Sequence, residues 1–379
     1  MKTIYLDNAA TTPMSEAVIC TMSEVMKSTF GNPSSTHQFG RKAKVLVEQS
    51  RKNIAKHFNV TASEIVFTAG GSEADNLILN NAVLNLGVKR IVTSKIEHHA
   101  VLHTIKSLQK EQNTIVDYVD VNDKGKINYK HLNELLQNNT EKTLVSLMYV
   151  NNEIGNILDI EKVCELCKNN NALFHSDTVQ GVGHYSIDLQ KTPIDFIAAS
   201  AHKFHGSKGV GFAIIKKGFG IKPILLGGEQ ERGARAGTEN VASIVGMENA
   251  LTAMLSNLDK EQEYISNLKQ YFIQQLKDNF PKIKCNGLSD NVDESSYIIL
   301  NVRFPKEIPM LLFSLDLKGI AVSGGSACQS GSSKGSHVLN AILDKEEVLK
   351  TSVRFSFSKY NTKKELDYVI EVLKEVLKK

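Results

Sequence analysis

Lys203 closes the segment Ser200-Ala201-His202-Lys203, just beyond the apolar run 194–200, and His205-Gly206-Ser207-Lys208-Gly209 follows it. A lysine at a strand end, set among hydroxyls, imidazoles and glycines, is placed to hold an aldehyde cofactor as a Schiff base. Burial and neighbouring cations lower the pKa of such an amine and let it serve as nucleophile and proton shuttle. Asp177 ends another apolar run, with Gln180 three residues on. A carboxylate there can pair with a protonated pyridine nitrogen and keep the ring an electron sink. Gln180 can hydrogen-bond the phenolic oxygen of such a ring, although helix capping is the ordinary role of an aspartate in Asp177's place. Gly70-Gly71-Ser72 turns from a strand into a helix, where free backbone N–H groups and a hydroxyl suit an anion. In Glu97-His98-His99, an imidazole can stack on a flat ring and exchange protons near neutral pH. Arg354 interrupts an otherwise apolar strand, Ser352-Val353-Arg354-Phe355-Ser356. A buried guanidinium needs a bidentate partner, either a substrate carboxylate or a protein acid.

Cys328 stands apart. It lies in a run of small residues, 323–336, rich in Gly and Ser. Long loops in compact domains tend to be functional or disordered. Such neighbours leave a thiol exposed and movable, as a travelling nucleophile requires. Other patterns carry less. Ser200-x-x-Lys203 with Ser289-Asp290-Asn291 mimics two β-lactamase elements, but Lys-Thr-Gly is missing and Ser200 closes a strand instead of opening a helix. Cys164-x-x-Cys167 sits inside a helical pattern without a second pair, so it reads as helix packing. His99 and His103 have metal-ligand spacing, but no His-Glu-x-x-His motif forms, and no metal site is expected.

The elements that must hold these groups alternate. Strands are predicted over 64–68, 90–93, 114–119, 143–150, 172–176 and 194–200, with helices over 98–110, 129–137 and 159–169. This alternation implies an α/β fold with a mostly parallel sheet between helices, and ligands beyond the strands' carboxyl ends. After about residue 240 the texture changes to a long helical stretch, 240–279, strands over 297–302 and 352–357, and a helix over 309–317. A last helix carries Leu366, Val369, Ile370, Leu373, Val376 and Leu377 on one face, and Thr362 with Glu365 forms its capping box. The pattern predicts a large domain over 15–255 and a smaller α/β domain built from 1–14 and 256–379, which carries the cysteine loop.

Bulk properties narrow the class. The 379 residues are too many for one simple core, and the net charge of +4 comes from interspersed charges. A dedicated nucleic-acid binder would show a basic stripe, so no direct nucleic-acid partner is expected. Neither an export signal nor a membrane-length apolar stretch is read in the sequence. Five thinly spread cysteines suit a reducing compartment. The expected location is cytoplasmic.

The motifs also occur in one order. Tyr5-Leu6-Asp7-Asn8-Ala9-Ala10-Thr11-Thr12-Pro13 comes first, then Gly31-Asn32-Pro33-Ser34-Ser35-x-His37, Phe67-Thr68-x-Gly70 and Glu97-His98. Val150-Asn151-Asn152-Glu153-Ile154-Gly155, Ser200-x-His202-Lys203, Arg235-Ala236-Gly237-Thr238-Glu239-Asn240, Ser326-Ala327-Cys328 and Val353-Arg354-Phe355-Ser356 complete the series. This order resembles the NifS/IscS-like cysteine desulfurases, and it spans nearly the whole chain. The resemblance implies a fold-type I enzyme with a mostly parallel, mixed seven-stranded sheet. Pyridoxal 5'-phosphate is the implied cofactor, L-cysteine the substrate, and alanine and an enzyme persulfide the products.

By position, Lys203 matches the Schiff-base lysine, His98 the stacked imidazole and Asp177 the partner of the pyridine nitrogen. Gln180 and Asn152 match residues around the cofactor. Gly71, Ser72, Ser200 and His202 match the phosphate cup, with Ser72 where threonine is common. Thr238 matches a phosphate contact given across a homodimer, Arg354 the clamp on the substrate carboxylate, and Cys328 the nucleophile that becomes a persulfide. The long cysteine loop resembles the branch of the family with a mobile arm. The implied partner is a sulfur acceptor, such as an iron–sulfur scaffold or a tRNA-thiolation protein. Selenocysteine lyase chemistry, another lyase or aminotransferase on this fold, and a non-catalytic sulfur carrier are the alternatives.

Overall fold

The computed structural model of the protein describes residues 3–137, 140–324 and 335–377. Its strands are β1 (Ile4–Tyr5), β2 (Ile65–Thr68), β3 (Arg90–Thr93), β4 (Ile115–Tyr118), β5 (Thr143–Ser146), β6 (Leu173–Asp177), β7 (Phe196–Ser200), β8 (Gly211–Ile215), β9 (Lys284–Cys285), β10 (Ile299–Arg303), β11 (Ile320–Ala321) and β12 (Ser352–Ser356). The helices are α1 (Glu16–Ser28), α2 (Gln38–His57), α3 (Gly71–Leu84), α4 (His99–Gln112), α5 (Tyr129–Gln137), α6 (Ile160–Asn169), α7 (Val241–Ser256), α8 (Leu258–Asn279), α9 (Leu311–Leu317), α10 (His337–Ile342), α11 (Lys345–Val348) and α12 (Lys363–Leu377).

Seven strands make the large sheet in the order β2-β8-β7-β6-β5-β3-β4. β8 alone runs against the other six, being antiparallel to both β2 and β7. Successive strand residues point to opposite faces, and here they feed two cores. Phe67, Val92, Val145, Phe174 and Ile197 join one with α7, while Val66, Ile91, Leu144, Phe196 and Ala198 join the other with α3 and α4. Both faces are dry, which accounts for strands that read as continuous apolar runs.

A second unit is built on the antiparallel sheet β12-β10-β9 and the pair β1-β11. The N-terminus belongs with the C-terminal half of the chain: Ile4 pairs with Ile320, and Asp7 bridges to Ser356. Helices α8 and α12 cover this sheet, with Phe272 edge-on to Phe355 at 5.1 Å. In α12 the face of Leu366, Val369, Ile370 and Leu373 is buried, each side chain contributing about 1.5–3 kcal/mol. The capping box forms as the sequence predicts, with Thr362 N donating to Glu365 at 2.9 Å.

Three of the departures from the sequence pattern concern the large domain and its boundary. The 143–150 run is a strand only to Ser146, because its next residues turn and hydrogen-bond the end of β6; Tyr149 N donates to Asp177 O at 2.9 Å. The 240–279 stretch is two helices, broken at Asn257, which closes α7 and opens α8. β8 is an unbroken apolar run without alternation, so the sequence pattern leaves it unread. Among the described residues, no helix is long and apolar enough to cross a membrane.

Candidate active site

The loops leaving the carboxyl ends of β2, β3, β5, β6 and β7 converge, and the chemistry of the chain is concentrated there. They enclose a cavity of about 550 Å³. Gly71, Ser72, His98, Asn152, Asp177, Gln180, Ser200, His202, Lys203 and Arg354 all line it. Among the described residues, one predicted site residue does not. Thr238 lines a second cavity with Arg235 and Glu239, which shares Ala69 and Gly209 with the first. Cys328 lies outside the described residues.

Lys203 ends a single turn, Ala201–Lys203, directly after β7. Its Nζ donates to the carbonyls of Ala9 at 2.6 Å and Ala10 at 2.8 Å. Gln180 Nε2 donates to the same Ala9 carbonyl at 2.8 Å. The N-terminal segment thus lies across the lysine, a contact between residues 194 positions apart that no local pattern predicts.

Asp177 ends β6, and Val179 N donates to its carboxylate at 2.9 Å. Burial raises its pKa, opposed by the charges of His98 and Lys203 and by that hydrogen bond. His98 caps α4, its Nδ1 accepting from Ala100 N at 3.1 Å. Asp75, His98 and Asp177 each bring a side-chain N or O atom to within 4.8 Å of the others. His202 is held neutral, at about 4, by burial and then by the charges of Lys203 and Lys208.

One wall is a turn stripped of side chains. Gly70 has φ +153°, which a side chain rarely adopts, and a Cβ on Gly71 would meet Val179 Cγ2 at 2.5 Å. Beyond the turn α3 opens with free N–H groups, beside Ser72 and Ser200. This is a cradle for an anionic group.

Arg354 is only 2% exposed. Its Nη2 meets Asp7 Oδ1 at 2.8 Å and its Nη1 donates to Asn152 O at 2.8 Å. Nε is buried, with no hydrogen-bond partner among the described residues. The protein-acid partner expected as one reading of Arg354 is therefore present, and among the described residues a donor is still left over.

Sequence reasoning missed Asp7, Asp75, Glu97, Glu153 and His337. Asp7 and Glu153 stand inside quoted motifs, but their pairing with Arg354 and Ser336 is tertiary. Glu153 accepts from the Ser336 hydroxyl, and burial pushes its pKa up to about 7 against the Ser336 hydrogen bond and the charges of Arg354 and His98. His337 Nε2 meets the Glu97 carbonyl at 2.8 Å. Asp75 carries a detectable signal, an acid at a position of α3 whose helical spacing makes it inward-facing.

The profile described as aminotransferase class-V matches residues 4–369. The chain belongs to the class-V aminotransferase family. Two class-V relatives match it over essentially its full length. The protein named cysteine desulfurase IscS in Dictyoglomus turgidum is 40% identical, over 99% of this chain and 95% of its own. The putative cysteine desulfurase IscS 1 of Bacillus subtilis is 41% identical over all of both chains. The crystal structure of a NifS-like protein from Rickettsia africae superposes with a TM-score of 0.89 at 32% identity, covering both chains fully. Pyridoxal phosphate is the cofactor of this class-V family. The cavity fits it on four counts: a lysine amine inside, a buried acid on the floor, an anion cradle at one end, and a buried Gln180 Oε1 without a hydrogen-bond partner among the described residues.

Proposed function

We propose that this protein is a cysteine desulfurase, taking sulfur from L-cysteine and leaving alanine. The observation that carries the reading is the meeting of Lys203, Asp177 and His98 in one cavity, with Arg354 on its wall. The names of the two relatives point the same way.

Lys203 would hold the cofactor covalently, Asp177 its ring nitrogen, His98 its ring face, and Gln180 and Asn152 its rim. Gly71, Ser72, Ser200 and His202 would hold the phosphate, with Thr238 reaching the phosphate of a partner subunit in a homodimer. When bound, pyridoxal phosphate supplies an electron sink for the charge left when the substrate's α-proton departs. Arg354 takes the substrate carboxylate, using the Nε donor that has no partner among the described residues. Lys203 Nζ, once released, moves the α-proton. Cys328 Sγ attacks the substrate sulfur, so that an S–S bond forms as the substrate's Cβ–S bond breaks. His98 would return a proton to the product. Splitting sulfur release into capture and transfer replaces one difficult step with two easier ones. A sulfur-acceptor protein, serving iron–sulfur assembly or tRNA thiolation in the cytoplasm, then receives the persulfide sulfur.

Replacing Lys203 tests the cofactor assignment. Lys203→Ala should lack the visible absorbance band of lysine-bound cofactor that the wild type shows. An unchanged band in Lys203→Ala would remove the basis of the assignment.

A further inference from the structure

Asp75 stands one turn into α3, on the side packed against the large sheet, and is 1% exposed. Its carboxyl comes within 4.8 Å of Asp177. Two carboxylates this close in a dry site cannot both hold their charge. Their surroundings differ. Asp177 accepts the Val179 N–H, and His98 and Lys203 both favour its ionised form. Among the described residues Asp75 pairs with no lysine or arginine; its neighbour at ion-pair distance is His175, whose Nε2 lies 3.3 Å from Asp75 Oδ1. His175 is wholly buried, and burial lowers its pKa to about 3, so it is a neutral ring. Its Nδ1 is 2.9 Å from Ser146 Oγ. An ionised Asp75 would thus be a second buried negative charge that shares His98 with Asp177 inside 4.8 Å, an arrangement that favours retaining a proton on one of the two acids.

We propose that Asp75 is a positioning residue whose carboxyl carries the single proton of the Asp75–Asp177 pair, leaving Asp177 as the ionised member. A protonated Asp75 has an acceptor at hand in His175 Nε2 and places no second negative charge beneath the cavity. Among the described residues, the ionisable groups facing it are Asp177 and His175 from β6, and Glu97 and His98 from the entry to α4. β2, β7 and β8 bring none. Burial, then the charge of Asp177, then that of Glu97, hold the Asp75 carboxyl well above the usual carboxylate range. Asp177 is raised as well, but three opposing influences act on it and none on Asp75. The consequence for catalysis, an Asp177 that stays charged opposite a ring nitrogen, rests on the function proposed above.

Infrared spectroscopy at neutral pH reads the proton directly, and it needs no bound cofactor. Asp75→Asn should lose one carbonyl-stretch band of a buried protonated carboxylic acid, and Asp177→Asn should keep that band. Retention in Asp75→Asn, or loss in Asp177→Asn, would overturn the proposal, and the second variant decides alone if the first does not fold. The pH titration of the visible band in cofactor-loaded protein gives an independent readout. Asp75→Asn exchanges one neutral group for another and should leave the midpoint in place, whereas Asp177→Asn should move it. A displacement of about one pH unit or more in Asp75→Asn would mean that Asp75 was charged. Absence of a visible band from wild type would count against the proposed function only, because the infrared bands still decide the placement of the proton.

Discussion

Lys203 and Asp177 are legible in the sequence because each sits in a short motif at a strand end. What surrounds them is not. Glu97 follows β3 as an ordinary loop acid would, yet it is 1% exposed and its Oε1 accepts from Ser94 Oγ at 2.6 Å. Burial, assisted by the charge of Asp177 and opposed by the Ser94 hydrogen bond, pushes its pKa up to about 8. The folded value lies above the ordinary one. The protonated form therefore contributes stability that is complete below the ordinary value of 4.5 and is lost as pH rises through about 8. Glu97→Gln stays neutral throughout. The denaturant midpoint of wild type minus that of Glu97→Gln should fall between about pH 5 and about pH 9. A difference that stays level over that range would contradict a buried, proton-bearing Glu97. The motif Glu97-His98 showed that an acid stands there, but only the fold shows that it is kept from water.

At the scale of elements, strand-helix alternation was readable because strands buried on both faces leave continuous apolar runs between helical periods. The antiparallel β8 was not, since a five-residue run carries no direction. Yet β8 supports the anion cradle. A Cβ on Gly211 would lie 2.3 Å from the Ala199 carbonyl oxygen and 2.7 Å from Gly70 Cα. Backbone on both sides cannot give way as the end of a flexible side chain can. Gly211→Ala should cost about 1–3 kcal/mol of stability by overpacking. It should also weaken cofactor binding about tenfold or more by displacing the Gly70 turn, although Gly211 does not line the cavity. Unchanged cofactor affinity in a titration of cofactor-free Gly211→Ala would show that β8 does not set that turn.

The whole molecule joins residues that the sequence keeps far apart. Asp7 reaches Arg354 across 347 positions, so the extreme N-terminus and β12 form one wall. Motif order gave the parts of that wall, but not that they touch. Thr238 lines the neighbouring cavity with Arg235 and Glu239, and in the proposed homodimer it serves the partner's site. Mixing Lys203→Ala with Thr238→Ala should create hybrid dimers with one complete site, which bind cofactor more tightly than either variant alone. Binding no better than the average of the two would contradict a site shared between subunits. In the proposed reaction, sulfur leaves cysteine through Cys328. Purified wild type and Cys328→Ser should be incubated with L-cysteine, and alanine, sulfide and protein persulfide measured together. Wild type should form alanine and persulfide in step, and Cys328→Ser should keep its visible cofactor band but form no persulfide and release no sulfide. Sulfide release at the wild-type rate from Cys328→Ser would contradict the account.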